Sequence, residues 1–402
     1  MAEALPSQTA ATSSARAGVG AITIDATVDE LTVDPHPILA AARRLGPLVW
    51  LPALGAWVVT DRPTAVAVMR DADRFTVDDP RFSTGQVIGS SMLSTDGADH
   101  QRHRSPFNYW FASRDDLAAL TDWMRADADR LVERTADDGR AELRSRLAAP
   151  LAADTLAHLL GLDPPGAEVL LEWYGQIVDA VQAITAGDEP GPESRRAYAD
   201  LRQAILTATD AGRAAALLDA RHELGDDDLA ANAAVILFGG IETSEGATAN
   251  AIWHLLTDPG TFAVIEADRS RIPAFVEESL RLEPAATQID RYATADATIG
   301  DADIRAGDYV IVSLAAANRD PAVFPEPDTI RLDRPNARQH TTFALGPHAC
   351  LGIHIARAQT IAAIDALLDH LPTIRLDAEA SHGPHGLVFR KPPAVTAEWD
   401  RP

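Results

Sequence analysis

A chain of 402 residues, 46% hydrophobic, is long enough to bury a sizeable core, and its formal net charge of −24 argues against nucleic acid or an anionic membrane as partner. No apolar run approaches the roughly 20 residues that span a bilayer. One cysteine, Cys350, excludes an internal disulfide, and one lysine, Lys391, leaves arginine to supply nearly all the positive charge.

Residues 1–20, rich in Ala, Ser and Thr and lacking an apolar core, read as a flexible tail, with 21–402 as the folded unit. Leu48-Val-Trp-Leu51 and Trp57-Val-Val-Thr60 read as a β-hairpin, and Pro63 opens a helix through Met69. Residues 76–95 are irregular and loop-like. Leu117, Leu120, Met124, Ala128 and Leu131 recur at helical steps, and a further helix over 152–160 is stopped by Gly161 and Pro164-Pro165. Helices over 166–185 and 193–212 flank a Gly/Pro-rich connection, which suits either a mobile lid or a plain surface hairpin. From 226 to 256 one long helix is apolar on nearly every face and should be buried. After Pro284 the chain turns strand-like at 291–294 and 309–312, and a proline-punctuated coil over 321–335 leads to the cysteine. The balance is an α-dominated α+β fold in one large unit.

The cysteine sits in Phe343-Ala-Leu-Gly-Pro-His-Ala-Cys350-Leu-Gly352, ahead of a helix over 353–368. Gly346 and Pro347 break the chain, while Ala349 and Gly352 crowd the sulfur little. A thiol at a helix N-terminus is drawn toward thiolate by the dipole and free N–H groups, and a thiolate near an imidazole (His348) suits a haem iron. The alternative is a lone cysteine packing as a small hydrophobe.

Three other stretches carry chemistry. Gly239-Gly240-Ile-Glu242-Thr243-Ser244 lies inside the long helix, where two glycines cost about 1 kcal/mol each against alanine. Thr243 is spaced to donate its hydroxyl to the Gly239 carbonyl, opening a groove beside an acid–alcohol pair. Glu278 and Arg281 share a helix face, which by itself is worth only a few tenths of a kcal/mol. His100 and Arg104 likewise lie four apart on one face.

Taken together, these stretches resemble the cytochrome P450 family. The cysteine loop matches the family's Phe-Gly-x-Gly-x-His-x-Cys-x-Gly at every fixed position but one, where Ala344 stands for a glycine and its Cβ resists positive φ. Gly239 to Ser244 match the oxygen-activation motif, and Glu278-Ser-Leu-Arg281 stands where the family carries Glu-x-x-Arg, with Arg334 as third member. His100-Gln-Arg-His-Arg104 resembles the propionate-binding helix, and Arg291 matches the arginine of the following strand. The resemblance runs from about Asp96 to Gly352 and takes in Asn318-Arg-Asp-Pro321 and Phe324-Pro325.

This resemblance implies a P450-like fold with a minor β-rich region and a long central helix over a haem b. Cys350 would bind the iron, with Phe343, Gly346 and Gly352 shaping its loop. His100, Arg104, Arg291 and His348 would hold the propionates, and Glu278, Arg281 and Arg334 would brace the loop. Thr243 and Glu242 would be catalytic, handling protons for an O2-dependent monooxygenase acting on a hydrophobic small molecule in the cytoplasm. Electrons would come from a ferredoxin or flavodoxin with its NAD(P)H-dependent reductase, docking on a basic patch for which Arg102, His103, His354 and Arg357 are candidates. Ile236, Gly239, Ala286, Gln288 and Leu387 are expected to line the pocket, Gln288 either as polar anchor or satisfied by a backbone partner. An H2O2-driven peroxygenase and a non-catalytic haem sensor are the rival readings.

Overall fold

The computed structural model describes residues 22–162, 166–186, 189, 191–213 and 215–401, so the expected tail at 1–20 lies outside the described residues. Two short helices, α1 (Val28–Val33) and α2 (His36–Leu45), precede the hairpin β1 (Leu48–Leu51) and β2 (Ala56–Val59), which α3 (Arg62–Arg70) follows. Hairpin residues are buried on both faces. Leu48, Trp50, Trp57 and Val59 pack with Val68 and Met69 of α3, whereas Val49, Leu51 and Val58 pack with Leu31 and Leu39 of α1 and α2. Strand alternation thus hands one side of the hairpin to each helix layer.

Residues 76–95 differ from the expected loop. They hold the end of β3 (Phe75–Thr76) and a short helix, α4 (Ser83–Ile88). Ile88 and Met92 are drawn into the main core, so tertiary burial supports a helix whose local sequence carries no periodic signal. Next come α5 (Gly97–Ala112), α6 (Arg114–Ala136), β4 (Arg140–Glu142), a π-turn at Arg144–Ala148 and α7 (Ala149–Leu159).

The paired helices are α8 (Ala167–Ala186) and α9 (Pro192–Asp210), followed by α10 (Ala215–Leu224). Leu170, Ile177, Leu201 and Ile205 from the pair are buried with Leu237 and Ile241 of the long helix α11 (Asp226–Thr257), so the pair forms part of the core wall. Three aspartates at the start of α11 oppose its positive dipole end. Its 32 residues, about 48 Å at 1.5 Å per residue, cross the protein against α7, α9 and α15.

Beyond α12 (Pro259–Ala267) and α13 (Ile272–Leu282), the strands β5 (Gln288–Ala293), β6 (Ala297–Ile299), β7 (Ala302–Ile304) and β8 (Tyr309–Ser313) lead to the single turn α14 (Leu314–Asn318). The helix α15 (Ile353–His370) follows the cysteine, and β9 (Arg375–Leu376) and β10 (Thr396–Glu398) close the chain. The largest sheet has the order β1-β2-β8-β5-β3, with β2 and β8 parallel and the other pairs antiparallel.

Candidate haem site

Between Thr341 and Gly352 the chain folds on itself through backbone hydrogen bonds. Ala344 N–H donates to Thr341 O (2.8 Å), Ala349 N–H to Gly346 O (3.1 Å) and Cys350 N–H to Phe343 O (2.8 Å). Two residues here are left-handed: Gly346 at φ +79° and Ala344 at φ +52°. The missing glycine is therefore tolerated with its left-handed geometry intact. Gly346 has no such latitude, because a Cβ there would lie 2.4 Å from the Met69 carbonyl oxygen at the end of α3.

Cys350 lies deep within the protein yet is exposed, so its sulfur faces interior space rather than packing as a small hydrophobe. Burial pushes its thiol pKa up, and the Gly352 N–H with the charges of Arg104 and Arg357 only partly opposes this. The helix terminus alone does not produce the expected thiolate; a metal ion bound at the sulfur would supply the missing stabilisation of the deprotonated form.

Around the loop lie the expected anion-binding residues. Arg104, on α5, donates from Nη2 to the Ala349 carbonyl, beside the sulfur. The His100 ring lies tilted against His348, centroids 4.3 Å apart, and Nε2 of His348 lies 2.8 Å from Asp96 Oδ1. Asp96 Oδ2 accepts from the Thr76 hydroxyl and Val77 N–H; despite burial, these bonds and the one to His348 hold its carboxyl down to about 2. Burial and then the His348 charge hold His100 down to about 4. Arg291 is 3% exposed, and burial lowers its pKa as well. Among the described residues, the buried side-chain nitrogens without a hydrogen-bond partner include Nε2 of His100 and Nη2 of Arg291. Buried polar nitrogens demand acceptors, so these, with a thiol facing inward, fit a dianionic, iron-bearing haem.

On α11, Ile236, Gly239 and Thr243 are spaced to share one face. The Thr243 hydroxyl donates to Gly239 O at 2.6 Å. The two glycines serve different ends: a Cβ at Gly239 would meet nothing within 4 Å, whereas one at Gly240 would press on Leu156 of α7 at 2.6 Å. Glu242 accepts from Tyr174 Oη on α8 (2.6 Å) and lies 2.9 Å from Lys391 Nζ. Neither partner carried a signal in the sequence, since both lie far from Glu242 along the chain.

Ala286 bridges to Phe389 in the C-terminal segment. Gln288 stands three residues from Arg291 on β5, and strand alternation turns it to the opposite face. With Leu387 it lines a cavity bounded by Leu31, Leu39, Leu54 and Ile311, on the α1–α2 side.

Glu278, Arg281 and Arg334 form a buried triad. Arg281 Nε and Arg334 Nε lie 2.7 and 2.9 Å from the carboxylate, which also accepts from Arg331 N–H. Their other nitrogens donate to the carbonyls of Asn318, Pro325, Pro327 and Thr329, among others, so the excess positive charge meets backbone acceptors. Burial alone would raise the Glu278 pKa, and the hydrogen bonds from the arginines more than reverse it. Sequence reading missed the neighbouring Glu277, which holds His340 and Arg357 at 3.1 and 3.0 Å. Arg357 in turn covers the Phe343 ring at 5.0 Å, tying α13 to the cysteine loop.

Of the four residues expected to form a basic patch, one is buried and two pair with carboxylates. His103 is fully buried between Asn232 and Arg102, and burial lowers its pKa. Arg102 pairs with Asp228 (2.6 Å) and Arg357 with Glu277, leaving His354 exposed. Among the described residues no helix is long and apolar enough to cross a membrane.

A deep cysteine on a tightly folded loop, with partnerless buried nitrogens on α5 and β5 and an acid–alcohol pair on α11, fits a haem-thiolate protein. Comparison with known proteins agrees. The family model described as Cytochrome P450 matches residues 193–374. The Vitamin D3 dihydroxylase of Streptomyces griseolus is 32% identical over 343 residues, covering 80% of this chain and 82% of the relative. The Mycinamicin IV hydroxylase/epoxidase of Micromonospora griseorubida is 31% identical, covering 86% and 89%. In structure, cytochrome P450 CYP109Q5 from Chondromyces apiculatus superposes with a TM-score of 0.83 at 24% identity, over 94% of this chain and 99% of that one, which bears on the fold. The chain belongs to the cytochrome P450 family, and it is a monooxygenase whose cofactor is haem b.

Proposed function

We propose that this enzyme uses O2 and two electrons from a separate ferredoxin or flavodoxin, reduced by an NAD(P)H-dependent reductase, to hydroxylate a hydrophobic small molecule in the cytoplasm. Cys350 would hold the iron, and Arg104, Arg291, His100 and His348 the propionates. When bound, the haem supplies the redox chemistry, leaving the protein to orient substrate and meter protons. Thr243, its hydroxyl resting on Gly239 O, turns to hold a water, and Glu242 passes protons from the solvent side as general acid–base. Ile236, Gly239 and Ala286 offer a small, apolar lining. The relatives support a hydrophobic substrate class, one being a Vitamin D3 dihydroxylase.

The observation that carries this reading is the half-buried Glu242, next to Thr243 and held by two polar partners at the edge of that lining. A peroxygenase needs no such relay, because peroxide brings its own protons. The test is a spectral titration of the haem-loaded protein with a panel of hydrophobic metabolites, followed by turnover with NADPH, a surrogate ferredoxin and its reductase. A Soret shift with hydroxylated product is expected. Equal product from H2O2 alone would overturn the reading. For the iron ligand, Cys350→Ser should abolish the long-wavelength Soret band of the reduced CO complex.

A further inference from the structure

We infer that Lys391, the only lysine of the chain, is a positioning residue for Glu242: it tethers the acid from the C-terminal segment and releases it without stranding a buried charge. The inference rests on the proton role proposed above for Glu242. Lys391 Nζ lies 2.9 Å from Glu242 Oε1 and 2.9 Å from Glu245 Oε2, two carboxylates one turn apart on α11. The other oxygen of Glu245 receives Arg144 Nε at 2.6 Å. Two anions thus share two cations, but unequally. Glu245 keeps Lys391 and Arg144 if Glu242 leaves, and Lys391 keeps Glu245. Glu242 is the exchangeable member.

Its surroundings give the tether a fixed base. Arg390, adjacent to Lys391, is locked by Glu283 (3.0 Å) and by the carbonyls of Thr32, Gly386 and Pro384. Pro393 O accepts from Arg144 Nη1 at 2.7 Å, closing the segment onto the π-turn before α7. The tip of Lys391 therefore sits at a set place while Glu242 moves. A lysine suits this role, because an ammonium is a point charge with three rotatable donors, whereas a guanidinium fork favours one locked bidentate partner. With Lys391 on Oε1 and Tyr174 on Oε2, each oxygen of Glu242 is engaged once and keeps a lone pair that water can reach.

A single lysine makes the tether measurable in the haem-loaded, full-length protein, independently of activity. Reductive methylation followed by peptide mass measurement reads Lys391 alone among side chains. Glu242→Gln should raise its labelling rate by up to about fivefold, the range for losing a partly exposed ion pair; an unchanged rate would overturn the tether. The second arm is NADPH-driven oxygen uptake with a surrogate ferredoxin and reductase. Lys391→Met should slow uptake about threefold or more, Lys391→Arg should recover most of it, and Lys391→Met should add nothing in the Glu242→Gln background. A loss that persists undiminished in that background would make Lys391 a packing residue only. If Glu242→Gln itself leaves uptake unchanged, the proton role of Glu242 falls and the inference with it. If Glu242→Gln slows uptake and Lys391→Met does not, only the inference falls.

Discussion

Gly346→Ala strikes the point where the cysteine loop rests on the end of α3. The new Cβ would lie 2.4 Å from the Met69 carbonyl oxygen and 3.0 Å from the Arg70 Cα, and backbone atoms cannot swing aside as a flexible side chain would. It would also hold an L-residue at φ +79°, costing about 1–2 kcal/mol. Overpacking against the backbone adds about 1–3 kcal/mol. The sum, about 2–5 kcal/mol, is a large part of the roughly 5–15 kcal/mol typical of a folded protein. Ala344 at φ +52° already carries one such strain in the same loop, so little slack remains to absorb a second. Urea unfolding of the haem-loaded protein should show the midpoint falling with an unchanged slope, and the CO spectrum should lose amplitude per mole of protein. Gly239→Ala is the matched control: its Cβ meets nothing within 4 Å, and alanine is better than glycine in a helix by about 1 kcal/mol. A Gly346→Ala variant within about 0.5 kcal/mol of wild type would refute the argument that this contact seats the loop.

Arg291→Leu should speed haem loss to a scavenging apoprotein by roughly tenfold to a hundredfold, from about 1.5–3 kcal/mol per charge-assisted bond lost, and full retention would remove Arg291 from the propionate site. Thr243→Ala should keep consuming reductant while product falls and H2O2 rises, and coupling equal to wild type would leave the hydroxyl's bond to Gly239 O as packing alone. Asp154 is raised to about 6, first by burial and then by Asp127, with Arg130 opposing. Because its folded pKa exceeds the unfolded value of about 3.9, its stabilising contribution is present at low pH and is lost as pH rises from about 4 through 6. Asp154→Asn should therefore match wild type in stability near pH 4 and exceed it above pH 6. The gain should be about 1 kcal/mol after discounting for partial exposure, as read by denaturant melts at both pH values.

How much of the fold and site is legible in the sequence follows the distance over which each feature is encoded. Gly346, Pro347 and Cys350 are punctuated within ten residues, and their loop closes by bonds among those same residues, so sequence and structure speak at one range. Thr243 and Gly239 are one helical turn apart, and their bond follows from the 3.6-residue period. The long apolar helix was equally plain, since burial on all faces is written in composition.

Other features depended on packing between distant segments. The helix α4 exists because Ile88 and Met92 find the core, not because Ser83-Thr-Gly-Gln favours a helix. The face that Gln288 presents is chosen by the register of β5 beside β8, and a one-residue shift would turn every side chain over. His103 looked like surface charge until Asn232, from the opposite helix, buried it. Lys391 and Glu242 meet only after the C-terminal segment folds back over α11, a pairing that no local spacing encodes. The sequence by itself determined the cofactor-binding loop, the helical architecture and the acid–alcohol pair, because short-range backbone chemistry suffices for them. Tertiary structure alone decided which charges pair, which donors stay unmet and which face each side chain presents, because those depend on contacts between residues far apart in the chain.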